Sequence, residues 1–275
     1  MMTMKNYLQK RIKYNKIKSK IGLDFNSYNK LSSYSRDDYI DGEVILFGNK
    51  IKFSSPFWFL HSLEEIFVEE VYKFQPNDNN NLIIDCGANI GLSAIYLKKL
   101  FPKSKIIALE PDNKVFKQMK FNIDSFGYSK DVEMLESAAW INNEDLTFVS
   151  EGSVGGRIKE QQEVASNTIT VKAIQLKEII ENQNILFLKI DIEGAEYEVL
   201  KDIKDNLKNV ENLFIEFHVK EEEENKLDEI LKWVREAGFS YYLKEAWNNM
   251  NYPFTKEIND KYGYQMQLNI SCYRK

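Results

Sequence analysis

The chain contains little cysteine and little histidine, two of each among 275 residues. Cys86 and Cys272 cannot provide a disulfide framework, and no Cys/His spacing typical of zinc ligation is present. Imidazole chemistry therefore has two candidates, His61 and His218. We expect Cys86 to end a buried strand, and a free buried thiol favours a reducing compartment, which we take to be the cytoplasm.

Long apolar runs are also missing. No stretch approaches the roughly 20 apolar residues that span a bilayer, and the basic N-terminus lacks the apolar core of a signal peptide. An excess of positive charge is missing too, because the net charge is −5. A nucleic-acid partner would require a basic stripe and is not expected. The hydrophobic share of 43% suffices for one substantial core, with or without a small appendage.

The polar run 75–81 predicts a boundary within the chain. We expect residues 1–80 to form a small N-terminal appendage and residues 81–275 to form the main domain. Residues 1–23 carry basic charges and no acidic ones. This pattern fits a solvated tail or exposed helix face, and it also fits a weak peripheral contact with an anionic membrane surface.

Two elements are predicted within the appendage. Residues 44–53 indicate a β-hairpin that turns at Gly48-Asn49. Residues 60–74 carry apolar side chains at helical spacing, which predicts an amphipathic helix.

From residue 82 onwards, short apolar runs alternate with helical patterns, which is typical of an α/β fold with a mainly parallel sheet. The predicted strands are Leu82–Ile84, Ile106–Leu109, Val132–Leu135, Ile185–Ile190 and Leu213–Phe217. The predicted helices are 92–101, 113–126, 195–208 and 222–237. An extra strand pair is predicted at Leu146–Val149 and Thr168–Val171. Two closing strands, Tyr241–Leu243 and Gln265–Cys272, are expected to pair antiparallel at one sheet edge.

A glycine-rich turn follows the first predicted strand. Gly87 and Gly91 allow the backbone to approach a ligand closely and to turn into the next helix. Ligands bind at the carboxyl ends of strands in such sheets. The candidate cofactor residues are therefore Asp85, Gly87, Ala88, Asn89 and Gly91. A purely structural turn would have the same pattern. The spacing is neither G-x-G-x-x-G nor a P-loop, which disfavours a nicotinamide cofactor and a phosphate cradle.

Glu110 ends the second predicted strand, and Pro111 opens the following loop. A carboxylate at this place can accept hydrogen bonds from both hydroxyls of a ribose. An exposed or helix-capping glutamate is the alternative. The third predicted strand leads to Ala138, where we expect a contact with adenine.

These motifs resemble those of a known family. Ile84–Gly91 and Leu109–Pro111 resemble the first two motifs of class I methyltransferases. Phe187–Glu196 and Ile215–His218 resemble the hallmark of the FkbM family, and the resemblance spans about residues 60–220. It implies a Rossmann-like class I methyltransferase sheet, an S-adenosyl-L-methionine cofactor and, usually, O-methylation. Acceptors in the family are often sugars, glycans or polyketide-type products.

Methyl transfer requires an aligned acceptor oxygen and a base that removes its proton. Asp191 and Glu193 end the fourth predicted strand and His218 ends the fifth. In the expected order 3-2-1-4-5 they would meet the methyl group, so we assign all three to catalysis and Asp191 also to cofactor binding. Alternatively, Glu193 and Glu196 cap the next helix and His218 is structural. The acids could hold a divalent cation, but their spacing does not demand one.

The leading hypothesis is an O-methyltransferase that acts on a sugar hydroxyl of a glycan or glycoside. A small natural product, a lipid or a carboxylate stays open as acceptor. A non-catalytic cofactor-binding module and a nicotinamide-dependent oxidoreductase are the other classes considered. Ser153–Arg157 predicts either a lid over the acceptor or a simple hairpin tip, with Arg157 available to an anionic group. Trp247 is a candidate for stacking on a sugar ring or for core packing.

Overall fold

The computed structural model describes residues 4–75, 82–149, 157–158, 168–220, 223–258 and 264–274. In this part of the chain, no helix has the length and apolar character needed to cross a membrane. Cys86 and Cys272 are both buried and unpaired.

The N-terminal elements are two helices, a hairpin and a third helix. They are α1 (Met4–Ile21), α2 (Phe25–Leu31), β1 (Gly42–Leu46), β2 (Asn49–Phe53) and α3 (Pro56–Leu63). The lysines of α1 are partly engaged within the protein, because Lys13 pairs with Glu64 at 2.6 Å and Lys20 with Glu70 at 2.6 Å. A membrane contact through the other basic residues stays a prediction.

The hairpin turns one residue earlier than the sequence suggests. Leu46 pairs with Asn49, so the two turn residues are Phe47 and Gly48, with φ of 49° and 86°. Two positive φ values give the mirror-image turn that matches strand twist. A phenylalanine rarely adopts this conformation. Its ring lies 5.2 Å from that of Phe67, and this tertiary contact holds it in place.

The third helix begins earlier and ends earlier than the predicted helix 60–74. Ser55 precedes the helix and Pro56 occupies its first turn, a position that favours proline. The helix continues as a π-helix over Glu64–Glu69 and stops at Glu70, whose φ of 57° is left-handed. The apolar residues beyond Glu70 pack against the core without being helical.

The strands and helices after residue 82 follow the predicted alternation. The strands are β3 (Leu82–Cys86), β4 (Lys105–Leu109), β5 (Val132–Leu135), β6 (Ala138–Trp140), β7 (Leu146–Val149), β8 (Arg157–Ile158), β9 (Thr168–Val171), β10 (Ala173–Gln175), β11 (Ile185–Ile190), β12 (Val210–Lys220), β13 (Ser240–Trp247) and β14 (Tyr264–Tyr273). The helices are α4 (Leu92–Leu100), α5 (Asn113–Ser125), α6 (Leu176–Ile180), α7 (Glu196–Ile203) and α8 (Glu224–Glu236). Short 3-10 helices cover Lys204–Asn209 and Pro253–Thr255.

The central sheet has seven strands in the order β13-β14-β12-β11-β3-β4-β5. Five adjacent strands of this sheet, β12, β11, β3, β4 and β5, run parallel to one another. Strand β14 is antiparallel to both β12 and β13. The predicted order of the five parallel strands and the antiparallel closing strands are confirmed. The carboxyl ends of β3, β4, β11 and β12 consequently meet at one edge, where ligands bind in such sheets.

The insertion after β5 forms small sheets of its own. The predicted pair is confirmed as antiparallel β7 and β9, and β8 joins β7. The parallel pair of β6 and β10 was not expected from the sequence. Residues 153–156 of the predicted lid lie outside the described residues, and Arg157 begins β8. The lid stays a prediction.

One face of the central sheet is covered by the N-terminal elements. Phe53 and Phe67 belong to the same buried cluster as Ile83 of β3 and Ile95 of α4. Burial of each such side chain contributes about 1.5–3 kcal/mol. The region expected to divide two domains, 75–81, lies almost entirely outside the described residues, so the proposed division stays a prediction.

Candidate active site

The glycine turn after β3 is tied to both neighbouring strands. The main-chain N–H groups of Gly87 and Ala88 donate to the carbonyl of Leu109, at 3.1 and 2.9 Å. Gly87 has a φ of 81°, and a Cβ atom on it would lie 1.8 Å from the main-chain oxygen of Asp191. The position therefore requires glycine, because the turn touches the backbone that follows β11.

The remainder of the turn also needs left-handed backbone. Asn89 has a φ of 49° and Gly91 a φ of 87°. The Asn89 side-chain Oδ1 accepts the N–H of Ile90 at 2.7 Å, which is a common local stabilisation of this conformation. A Cβ on Gly91 would approach Met119 to 3.1 Å. Gly91 thus lets α4 pack closely against α5.

Glu110 lies at the end of β4 and lines a cleft at the carboxyl edge of the sheet. Its Oε2 accepts the N–H of Asn89 at 3.0 Å, and its Oε1 accepts the N–H of Asp112 at 2.9 Å. Burial raises the pKa of Glu110 to about 8. Pro111 and Ala138 line the same cleft. All three predicted residues of the second and third strand ends are therefore brought together.

The buried Lys189, which was not identified as a site residue from the sequence, connects the ends of β3 and β11. The Nζ atom of Lys189 lies 3.0 Å from Asp191 Oδ2, 3.4 Å from Asp85 Oδ1 and 2.9 Å from the carbonyl of Gly87. Burial opposes its charge, but the attraction of Asp191 and Asp85 outweighs burial and raises the pKa of Lys189. Asp85 is fully buried and accepts a hydrogen bond from Ser93. Asp85 lies behind the cleft, and it stabilises the glycine turn through its contacts with Lys189 and Ser93.

The loop after β11 is organised by Glu196. This fully buried carboxylate accepts the N–H groups of Ile192 at 3.1 Å and Gly194 at 3.0 Å, and it contacts His218 Nδ1 at 3.1 Å. Glu193 and Gly194 have φ values of 54° and 98°. The expected capping of α7 by Glu193 and Glu196 is wrong, because the helix has no side-chain cap and Glu196 holds the preceding loop instead. The side chain of Glu193 lines the cleft.

His218 lies behind the cleft and is 2% exposed. Its Nε2 is 3.5 Å from Glu193 Oε2, and its ring packs 4.8 Å from that of Tyr264. Burial opposes protonation, but the charges of Glu193 and Glu196 outweigh it and raise the pKa of His218 well above its usual value. His218 lies outside the cleft lining, whereas Asp191 lines it, so the geometry favours Asp191 of the two candidate bases.

Two further carboxylates in the cleft were not identified from the sequence. Glu65 comes from the π-helix and Glu216 from β12, and with Asp191 they form what we call the acidic wall. Burial, followed by the charge of Asp191, raises the pKa of both Glu65 and Glu216. Asn269 donates to Glu65 Oε1 at 3.3 Å.

An aromatic cluster lines the cleft as well. Trp58 and His61 of α3 lie with Trp247 of β13 at ring-centre distances of 5.4–5.7 Å, and we call these three residues the aromatic wall. The Nε1 atom of Trp58 is buried and has no hydrogen-bond partner among the described residues. Burial lowers the pKa of His61. Trp247 therefore lies in the cleft, as the stacking hypothesis requires.

A sheet in this order, with the glycine turn after its first strand and an acid after its second, is a Rossmann-like α/β sheet that binds its ligand at the strand ends. Residues 85–241 match the family model described as the methyltransferase FkbM domain. The chain belongs to the FkbM methyltransferase family, and its cofactor is S-adenosyl-L-methionine.

The chain is also similar to individual methyltransferases and to solved structures. Methyltransferase 1 of Beauveria bassiana is 27% identical over 172 residues, which cover 54% of this chain and 67% of the relative. The hexuronic acid methyltransferase AglP of Haloferax volcanii is 24% identical over 187 residues, covering 66% and 73%. The crystal structure of methyltransferase FkbM from Methylobacillus flagellatus has 14% identity and a TM-score of 0.46. The match covers 90% of this chain and 58% of that one.

Proposed function

We propose that the protein is an O-methyltransferase that transfers the methyl group of S-adenosyl-L-methionine to a sugar hydroxyl of a glycan or glycoside. The observation that carries this proposal is the combination of the aromatic wall and the acidic wall in one cleft. Aromatic faces bind the apolar faces of sugar rings, and carboxylates accept hydrogen bonds from sugar hydroxyls. The unpartnered N–H of Trp58 offers a donor to a sugar oxygen.

The other end of the cleft suits the cofactor. Seven of the residues assigned to cofactor binding from the sequence line the cleft, namely Gly87, Ala88, Asn89, Glu110, Pro111, Ala138 and Asp191. Glu110 would receive the ribose hydroxyls, and Ala138 would contact the adenine. Asp85 and Gly91 would shape the turn from outside the cleft. Asp191 lies where the cofactor end meets the acidic wall.

Asp191 is the candidate base. The bound cofactor supplies the electrophilic methyl carbon, and the protein has to align the acceptor oxygen and receive its proton. Lys189 holds Asp191 Oδ2 at 3.0 Å and so fixes the carboxylate, whose side chain is 23% exposed. A fixed, accessible carboxylate beside the acceptor fits proton removal better than the buried His218 does.

The relative from Haloferax volcanii, named a hexuronic acid methyltransferase, supports a sugar as the class of acceptor. Lipids and small natural products are the alternative acceptors.

The experiment is a methyl-transfer assay with isotope-labelled cofactor. The acceptor panel contains simple pyranosides, uronic acids, phenols and lipid alcohols, and mass spectrometry locates the label. We expect label on a sugar oxygen. Asp191→Asn should abolish transfer while isothermal calorimetry still detects cofactor binding. Label confined to non-sugar acceptors would contradict the sugar assignment. Cofactor binding without transfer to any acceptor would favour a non-catalytic module.

A further inference from the structure

We propose that Asp191, Glu193 and His218 form a binding site for one divalent cation. One ligand atom from each residue lies within 4.8 Å of the other two. Asp191 and Glu193 have partly exposed side chains in the cleft, 23% and 24%, so a cation can reach them. His218 closes the site from the protein side.

The orientation of His218 is the independent observation that points to a ligand. Its Nδ1 is held by the buried Glu196 at 3.1 Å. A carboxylate on one imidazole nitrogen is the usual arrangement when the other nitrogen binds a metal ion. The Nε2 atom is buried and has no hydrogen-bond partner in the part of the chain that the structure describes. It lies at ion-pair distance from two carboxylates, 3.5 Å from Glu193 Oε2 and 3.9 Å from Glu216 Oε1, without a hydrogen bond to either.

The three ligand atoms lie slightly too far apart to bind one ion, so the side chains must move a little closer together. Two ligands of one first-row cation lie about 3 Å apart when they are adjacent and about 4 Å apart when they are opposite, since each bond is about 2.1 Å long. Rotation of the partly exposed Glu193 side chain supplies this movement. Lys189 occupies Oδ2 of Asp191, and a carboxylate can bind a cation through its other oxygen.

The set of ligands selects the kind of cation. One imidazole with two carboxylates suits Mn²⁺ or a similar first-row ion better than Ca²⁺, which prefers oxygen ligands alone, or structural zinc, which prefers cysteine and histidine. Three protein ligands leave coordination positions open towards the cleft. A hydroxyl bound there would lose its proton more readily.

The first test measures binding of Mn²⁺ alone, without cofactor or acceptor. The full chain is stripped with a chelator and titrated with Mn²⁺, and electron paramagnetic resonance reports the free ion. We expect one bound Mn²⁺ per chain. Glu193→Gln and His218→Gln should each weaken binding at least about tenfold. Glu236→Gln is the matched control, because it removes an exposed carboxylate outside the cleft lining, and it should leave the Mn²⁺ affinity unchanged.

The second test identifies the nitrogen ligand. Electron spin-echo modulation of bound Mn²⁺ should show a nitrogen coupling that is lost in His218→Gln. Circular dichroism and cofactor calorimetry show that each variant is folded. The site is refuted if the stripped wild type binds no Mn²⁺, or if both ligand variants bind it as well as the wild type. Methyl transfer by a wild type that binds no Mn²⁺ would refute the cation site and leave the proposed function standing.

Discussion

Gly87 approaches Asp191 so closely that a Cβ atom on the glycine would lie 1.8 Å from the main-chain oxygen of Asp191. The two residues follow different strands, β3 and β11, which pair in parallel. Their contact brings the cofactor turn and the candidate base together. A change at Gly87 should therefore affect both the fold and cofactor binding.

Gly87→Ala should destabilise the protein by at least about 2 kcal/mol, because the new methyl group meets backbone that cannot rotate away. The φ of 81° adds strain for any residue with a Cβ. Urea unfolding measures the loss of stability, and calorimetry should show that binding of S-adenosyl-L-methionine is lost or strongly weakened.

Gly127→Ala is the matched control. Gly127 has a φ of 74°, and no described atom lies within 4 Å of a Cβ built on it. This variant should show the conformational cost alone, about 1 kcal/mol, with normal cofactor affinity. Equal losses in the two variants would show that the contact with Asp191 contributes nothing.

Lys189→Met should cost about 3–5 kcal/mol, because it leaves Asp85 and Asp191 without their buried counter-charge. Chemical denaturation at constant pH is the measurement. Lys232→Met serves as the control, since Lys232 is 63% exposed and lies 3.9 Å from Glu236. A surface pair of this kind contributes little. A loss in Lys189→Met no larger than in the control would contradict the role given to Lys189.

The stability of the protein should fall with rising pH through the titration of Glu110. Its pKa is about 8 in the folded protein and about 4.3 in an unfolded chain. The folded state therefore binds the extra proton between these values. The resulting stabilisation is complete below about pH 4.3 and is lost as the pH rises through about 8.

Unfolding free energies of the wild type and Glu110→Gln, compared from about pH 5 to 9, test this prediction. The wild type should lose stability relative to the variant as the pH rises. Saturating cofactor should reduce the difference, because ribose hydroxyls that donate to Glu110 stabilise its ionised form. Parallel stability curves without cofactor would show that Glu110 titrates normally.

Trp247→Ala should raise the acceptor KM at least about tenfold through the loss of aromatic contact area, with little change in cofactor affinity. Steady-state kinetics and calorimetry separate the two effects. Tyr242→Ala is the control on the same strand, because Tyr242 is 64% exposed and lies outside the described cleft lining. An unchanged KM in Trp247→Ala would exclude Trp247 from the acceptor site.

The sequence predicts those parts of the site that depend on local pattern. The strand ends at Asp85, Glu110 and Asp191 follow directly from apolar runs, and the glycine turn follows from its spacing. The same reasoning places the sheet and its antiparallel edge. The hairpin turn lies one residue earlier than predicted. The reason is the contact of Phe47 with Phe67, which stabilises a backbone conformation that phenylalanine disfavours by itself.

The rest of the site depends on contacts between distant parts of the chain. Glu65 lies within the predicted amphipathic helix and Trp58 precedes it, and only packing shows that both line the cleft. Lys189 did give a signal, because a lysine within the fully buried strand β11 requires a buried counter-charge. The acidic residues at neighbouring strand ends could have supplied that inference.

The aromatic wall and the cofactor end of the cleft come from different parts of the chain. The cofactor end lies within the matched family region, residues 85–241, whereas Trp58, His61, Glu65 and Trp247 lie outside it. On the acceptor site proposed above, mutations in the flanking segments should alter the choice of acceptor while cofactor binding is retained. On the same proposal, exchange of the flanking segments between homologues is a route to enzymes with new acceptors.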